Sequence, residues 1–544
     1  VKLQLALFTA FLLAALPAAP AADACTNFLV TRGASADGSV IITYTCDGEF
    51  HPNMRYLPAE DHEEEFEELT HWTGEVVGKI RQVPHTYAVV QLMNEHQVAM
   101  GETTWDGREE LRNKEGMLHY WMLMRLALQR SRTAREAIEV MAALVHEYGY
   151  SSTGESMVIA DPDEAWIMEI IGPGPGGQGA IWVALKVPDG SVCAYANKSR
   201  IADFPLDDPE NCLYAPNVIS FAIEQGYYDP ESGVPFSFRD AYCPASPQKI
   251  GYTSSRVWSL YRRCAPSLGL TADFSRAAAG AEHYPLWIKP DNKLSLGDVF
   301  GLMRDHYEGT ELDMTKGVDA GPFGTPNRWR PMTFTVDDAL YSWERPISTQ
   351  QTGFSIVTQS RSWLPDPVGG VLWYGVDDTD GTCYVPLYCG IDQAPEAFTR
   401  GSFSRFSWDS AWWIFNLVAN YANLKYSYMI QDIRAVQSAI EGEFIALQPE
   451  VDRTAAALYE KDPALMTRYL TDYSVGHAER TVTRWQALAE HLLTKYNDGY
   501  VRNEQGEPEE VGYPESWLRT VLASRPEQFK LDNRGTEVET ELSY

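Results

Sequence analysis

Cys25-Thr26-Asn27-Phe28-Leu29-Val30-Thr31 leads, through a turn at Ala36-Asp37-Gly38-Ser39, into Val40-Ile41-Ile42-Thr43-Tyr44-Thr45-Cys46-Asp47. β-Branched and aromatic residues dominate both runs, and the Asp-Gly step between them is turn chemistry. The stretch therefore reads as two strands, with a cysteine at the start of the first and an aspartate at the end of the second. What precedes Cys25 gives that cysteine its meaning. Residues 1–24 carry Lys2, an apolar run of twelve residues from Leu5 to Leu16, and the small residues of Ala22-Asp23-Ala24. That is the layout of an export signal with its cleavage site. The apolar run falls short of the about 20 residues that cross a bilayer. The expected mature chain starts at Cys25, carries no membrane anchor after cleavage, and is exported to a periplasm or the extracellular space.

The composition narrows the partners. The chain has 544 residues, 44 Lys plus Arg against 75 Asp plus Glu, and a formal charge of -31. Nucleic-acid affinity comes mostly from phosphate neutralisation, so no nucleic-acid partner is expected. An anionic membrane surface is excluded on the same ground. With 16 Trp, 29 Tyr and 20 Phe there is bulk for a large core.

Strand-like runs continue at 85–92 and 97–102, with an acidic segment, 59–69, expected as a solvated loop or short helix face. Two helices are expected over 111–131 and 133–148, the second opened by Thr133 and Glu136 in capping-box spacing. Four strands follow, at 156–160, 165–171, 180–187 and 191–197. Residues 203–290 read as irregular. Ser295 and Asp298 open a helix carrying Val299, Leu302, Met303 and His306. A second strand-rich stretch spans 332–388, and the chain after Ser407 reads as helical, with a polar end over 501–544. Strands, helices and strands in this order predict an α+β fold.

Several motifs fail on inspection. Gly172-Pro173-Gly174-Pro175-Gly176-Gly177 has dinucleotide-loop spacing, but a strand rather than a helix follows it, so it is a hairpin connection. No phosphate-cradling GxxxxGK[ST], no GxSxG serine elbow and no HExxH zinc pair occurs. Among the cysteines, Cys383 and Cys389 are a candidate disulfide pair in an exported chain.

A cysteine at a cleavage site has three readings: an acylated lipoprotein cysteine, an ordinary disulfide cysteine, or an N-terminal nucleophile. Lipoprotein processing favours a large aliphatic residue where Ala22 stands. The third reading has its own chemistry. Thiol and α-amine share one residue, with reference pKa values of about 8.5 and about 7.7–8.0, so the amine serves as base without a histidine.

Cys25 to Val40 resembles the start of the secreted dipeptidases of peptidase family C69, in the N-terminal-nucleophile superfamily with penicillin V acylase and the bile salt hydrolases. Further stretches resemble the family in order: Asn94 to Thr104, Glu155 to Gly172, Ala194 to Ile201, Arg256 to Trp258, Ala320 to Trp329 and Ser410 to Phe415. The resemblance spans about residues 25–500. It implies an N-terminal-nucleophile αββα sandwich over 25–400, a helical C-terminal extension over 401–500, and small peptides as substrates, with no metal or organic cofactor. Carried over by position, Cys25 is the nucleophile, Asp47 holds its amine, Asn197 donates to the oxyanion, and Arg256 sits near the sulfur and lowers its pKa. Tyr44 departs from relatives that have arginine three residues before the aspartate, and Arg32 or Arg256 are candidates to compensate. Thr103 and Thr104 are candidates for a further oxyanion contribution, and Asn94 is either a site residue or a turn residue. The part after Ser407 either shapes the pocket or forms the interface of a homo-oligomer.

The expected reaction is dipeptide hydrolysis through a thioester on Cys25. Two alternatives stand beside it: an N-acyl amide hydrolase of the penicillin V acylase or bile salt hydrolase type, and a non-enzymatic exported binding protein or lipoprotein.

Overall fold

The computed structural model describes residues 25–48, 50–71, 74–244 and 247–530. The two opening strands form as their composition dictates: β1, Asn27–Val30, pairs antiparallel with β2, Ile41–Asp47. The next long strand is β3, Ala99–Trp105. Two helices follow, α1 over Tyr120–Arg130 and α2 over Ala134–Tyr148. The Thr133 hydroxyl caps α2 by accepting from the Glu136 N–H. The four strands after them are β4, Gly154–Ala160, β5, Ala165–Ile171, β6, Ile181–Lys186, and β7, Val192–Tyr195. Ile171 pairs with Ile181, so the glycine-proline loop between β5 and β6 is a hairpin connection.

An eighteen-residue helix, α3, occupies Pro247–Cys264, and α4, Leu296–Met303, opens with a complete Ser295–Asp298 capping box. Then come β8, Thr352–Gln359, β9, Val371–Val376, and β10, Val385–Tyr388. Three further helices follow: α5, Ala411–Ala422, α6, Tyr426–Tyr459, and α7, Pro463–Lys495.

Among the described residues two large sheets form. One orders its strands as Trp287–Ile288, β7, β1, β2, β8, β9, β10; the other as Cys212–Tyr214, β6, β5, β4, β3 and three short strands. β2 packs against β3 and β4 of the second sheet, and β1 against β3. Helices α1 and α2 pack on β3, β4 and β5; α3 packs on β7; α5, α6 and α7 pack on β9 and β10. Both sheets are covered, so their central strands β2, β4, β5 and β9 are buried throughout rather than alternating. The fold is α+β. One apolar core runs from Cys25 to Tyr496 and includes the C-terminal helices.

The structure corrects several local expectations. The acidic segment is a solvated loop over 62–65, whereas Glu60–Asp61 and Phe66–Thr70 are strands, the latter paired with Val76–Arg81. Leu69 and Ile80 bury there, and Glu67 is neutralised by Arg125 and Arg130. The stretch 203–290, expected to be irregular, contains α3. The first helix starts nine residues late, at Tyr120 rather than Leu111. His306 lies beyond the end of α4, held by Glu308 at 3.1 Å, and not on the helix. Within the polar end, Glu515–Ser524 is helical, and 531–544 lie outside the described residues, as do 1–24. Cys383 and Cys389 are not joined; both are buried free thiols, and Cys389 Sγ donates instead to the Asp366 carbonyl at 3.1 Å.

Candidate active site

Cys25 lies where β1 enters the space between the sheets and is 1% exposed. Register places it opposite Cys46: Thr26 faces Thr45, so the residue before faces the residue after. The Cys46 thiol is in hydrogen-bonding contact with Cys25. The Cys25 Sγ also donates to Glu102 Oε1 at 3.5 Å and toward the Tyr44 hydroxyl at 3.8 Å. Burial first, then Cys46 and the Glu102 charge, push the thiol well above its ordinary range.

Arg256, on α3, reaches the same residue from the other side. Its Nη1 donates to the Cys25 carbonyl at 2.7 Å and to Thr26 Oγ1 at 2.9 Å, while Nη2 donates to Asn197 Oδ1 at 2.8 Å. Burial and the neighbouring Arg345 lower its pKa to about 10, so it keeps its charge at neutral pH. The guanidinium therefore clamps the backbone of Cys25 rather than its sulfur, and the expected lowering of the thiol pKa by Arg256 is not what the contacts produce. Asn197 follows β7 in a left-handed conformation (φ 54°), which asparagine tolerates, and its Nδ2 donates to the Thr104 carbonyl at 2.7 Å.

Asp47, at the end of β2, is buried beside this cluster and contributes to the field on the thiol. Its own partners are Arg345 Nη2 at 2.5 Å, Thr352 Oγ1 at 2.6 Å and Thr45 Oγ1 at 3.2 Å. The structure thus brings Cys25, Asn197 and Arg256 into one hydrogen-bonded chain and sets Asp47 next to them in an ion pair.

Arg32 is not part of the group: it is an exposed residue paired with Asp163 at 3.2 Å. Asn94 is a structural residue; its side chain donates to the Leu128 and Ser131 carbonyls and accepts from the His96 and Val98 N–H groups. Thr104 belongs to the site and donates from Oγ1 to Glu155 Oε1 at 3.0 Å and to Glu102 Oε2 at 3.5 Å. Tyr44 donates to Glu102 Oε1 at 2.7 Å. Burial is the main cause that raises the Glu155 carboxyl well above the ordinary range, and the Glu102 charge adds to it.

Sequence reasoning missed Arg345, Glu102, Glu155 and Cys46 as members. Glu102 and Glu155 stood inside two quoted family-like stretches, which was the available signal. Arg345 sits in a connection between strands with no periodicity to mark it. An open cleft between residues 185–189, 200–211 and 283–287 contains none of the residues around the Cys25 sulfur.

The family model for peptidase family C69 matches residues 24–439. The chain belongs to peptidase family C69. Its relatives include a probable dipeptidase of Salmonella dublin, 26% identical over 404 residues, which cover 70% of this chain and 84% of the relative. A probable dipeptidase of Latilactobacillus sakei is 25% identical over 415 residues, covering 73% and 80%. A dipeptidase of Bifidobacterium longum is 25% identical over 439 residues, covering 73% and 76%. This C69 chain is therefore a peptidase, and the buried Cys25 cluster is its candidate centre.

Proposed function

We propose that this C69 peptidase is an exported dipeptidase whose nucleophile is Cys25, exposed as the first residue when the export signal is removed, within an αββα sandwich of the N-terminal-nucleophile type. The observation that carries the reading is the clamp of Arg256, itself hydrogen-bonded to Asn197, on the backbone of the residue whose sulfur lies between the sheets.

In this mechanism the α-amine of Cys25 takes the thiol proton. The thiolate attacks the peptide carbonyl carbon, and the carbonyl π-electrons move onto its oxygen. The Asn197 side-chain amide and backbone N–H groups stabilise that oxyanion. Collapse breaks the C–N bond, and the ammonium returns its proton to the leaving amino acid. The same amine then takes a proton from water, whose oxygen attacks the thioester carbon; the C–S bond breaks, the amino-terminal amino acid leaves with its new carboxyl group, and the ammonium returns the proton to the sulfur. Asp47 sets the field beside the amine, and Arg256 holds the Cys25 carbonyl so that sulfur and amine keep their relative positions.

The test is kinetic and analytical together. Cys25→Ala is expected to abolish dipeptide hydrolysis while keeping the unfolding transition, and one added residue before Cys25 is expected to do the same by turning the base into an amide. The intact mass of the natural protein is expected to correspond to a chain starting at Cys25 with an unmodified thiol. Full activity of either variant, or an acylated Cys25, rejects the reading.

A further inference from the structure

Beside the sulfur stands a carboxyl group, Glu102, with a second, Glu155, against it, and the mechanism above has no use for either. Glu102 on β3 and Glu155 on β4 are both fully buried, and their carboxyl groups are in hydrogen-bonding contact. Hydroxyls serve the pair: Tyr44 donates to Glu102, Ser152 to Glu155, and Thr104 to both. Glu155 Oε2 is buried, and no hydroxyl or N–H group of the described residues donates to it. A buried carboxyl oxygen left in that state costs free energy unless something comes to it.

We propose that the Glu102–Glu155 pair seats the substrate's α-ammonium group, so that the enzyme selects peptides with an unblocked amino terminus and cuts at the first peptide bond. The proposal rests on Cys25 being the nucleophile and adds the group that chooses the substrate. Bond lengths and angles place the amino nitrogen of an amino-terminal residue about 2.5 Å from its own carbonyl carbon. A nucleophile poised for attack stands about 3–3.5 Å from that carbon. The ammonium of a peptide attacked at its first bond therefore falls within roughly 6 Å of the sulfur. Glu102 Oε1, 3.5 Å from Cys25 Sγ, lies inside that shell. An amino group one residue farther along would lie beyond it.

Charge supports the same assignment. Two carboxyl groups in contact share a proton, which leaves one negative charge on a set of acceptor oxygens, the complement of an ammonium with three donors. The pair also opposes ionisation of the sulfur, since Glu102 raises the Cys25 thiol. An ammonium seated between them neutralises the carboxylate and favours the thiolate. A peptide whose amine is acylated loses the ion pair and this assistance together.

The experiment compares alanyl-alanine with N-acetyl-alanyl-alanine on the mature enzyme. The capped peptide is expected to show a kcat/KM at least about 100-fold lower, because a site built for a hydrogen-bonded group rejects the analogue lacking it. In Glu102→Gln the value for alanyl-alanine is expected to fall about 100-fold, as for truncating one partner of a buried charge pair, while the capped peptide changes little. Equal cleavage of both peptides by the wild type, or an equal fall for both in Glu102→Gln, overturns the anchor. The wild-type comparison decides the matter even if the variant does not fold. Calorimetry on Cys25→Ala separates the two proposals. Preferential binding of alanyl-alanine there supports the anchor even if Cys25→Ala stays active and the nucleophile is another group. Equal binding of the two peptides overturns it even if Cys25 is essential.

Discussion

At the scale of single residues, the centre depends on charges held where water is absent. Asp47 and Arg345 are both at most 1% exposed and meet at 2.5 Å. Such a pair is weak evidence of net stabilisation, but removing one member strands the other. Arg345→Met is therefore expected to destabilise the protein by about 3–5 kcal/mol in denaturant unfolding. The double variant Asp47→Asn with Arg345→Met is expected to recover much of that loss, because no uncompensated charge remains. If the single variant unfolds like the wild type, the ion pair is not what holds the end of β2. Asp47 was legible in the sequence because it closes a strand begun by a recognisable pattern. Arg345 was not, since a residue 298 positions away along the chain enters the site only through folding.

At the scale of elements, the approach of β3 to the opening strands sets where Glu102 stands. Gly101 permits it: a Cβ there would lie 2.8 Å from Asn27 Nδ2 and 2.9 Å from Tyr44 Cβ. Neither neighbour is a free end, for Asn27 Nδ2 donates to the Thr43 carbonyl at 2.9 Å. Gly101→Ala is expected to push the two sheets apart locally and to cost about 1–3 kcal/mol, as overpacking does. Thermal unfolding and kcat/KM measured together check this; an unchanged Tm means the sheets have slack. The helix that carries Arg256 shows how an element escapes a sequence reading. α3 holds Val257, Leu260, Tyr261 and Cys264 at helical spacing, all buried. Ser, Thr, Gly and Tyr residues around them diluted the pattern, and tertiary burial against β7 supplies what propensity lacks.

At the scale of the whole molecule, the C-terminal helices are part of the structure that frames the site. α6 and α7 cover β10, whose residues are all buried. Arg304 at the end of α4 pairs with Glu441 on α6 at 2.5 Å, and Arg361 with Asp452 at 2.5 Å, both in the interior. A chain ending at residue 400 leaves β10 and both arginines uncovered. It is expected to lose cooperative unfolding and to bind ANS, and a sharp transition at the wild-type Tm would show the helices to be dispensable. The sequence by itself determined the α+β class, the order of the strands on either side of α1 and α2, the hairpin nature of the glycine-proline loop, and the kinship with family C69. Those follow from local periodicity, turn chemistry and motif order, which neighbouring residues carry. Only the tertiary structure decided that Arg256 grips the Cys25 backbone, that Arg345 answers Asp47, and that Glu102 stands at the sulfur with Glu155 against it. Such contacts join residues far apart in the chain, and burial sets their strength by withdrawing water, a condition that exists only once the two sheets have closed on each other.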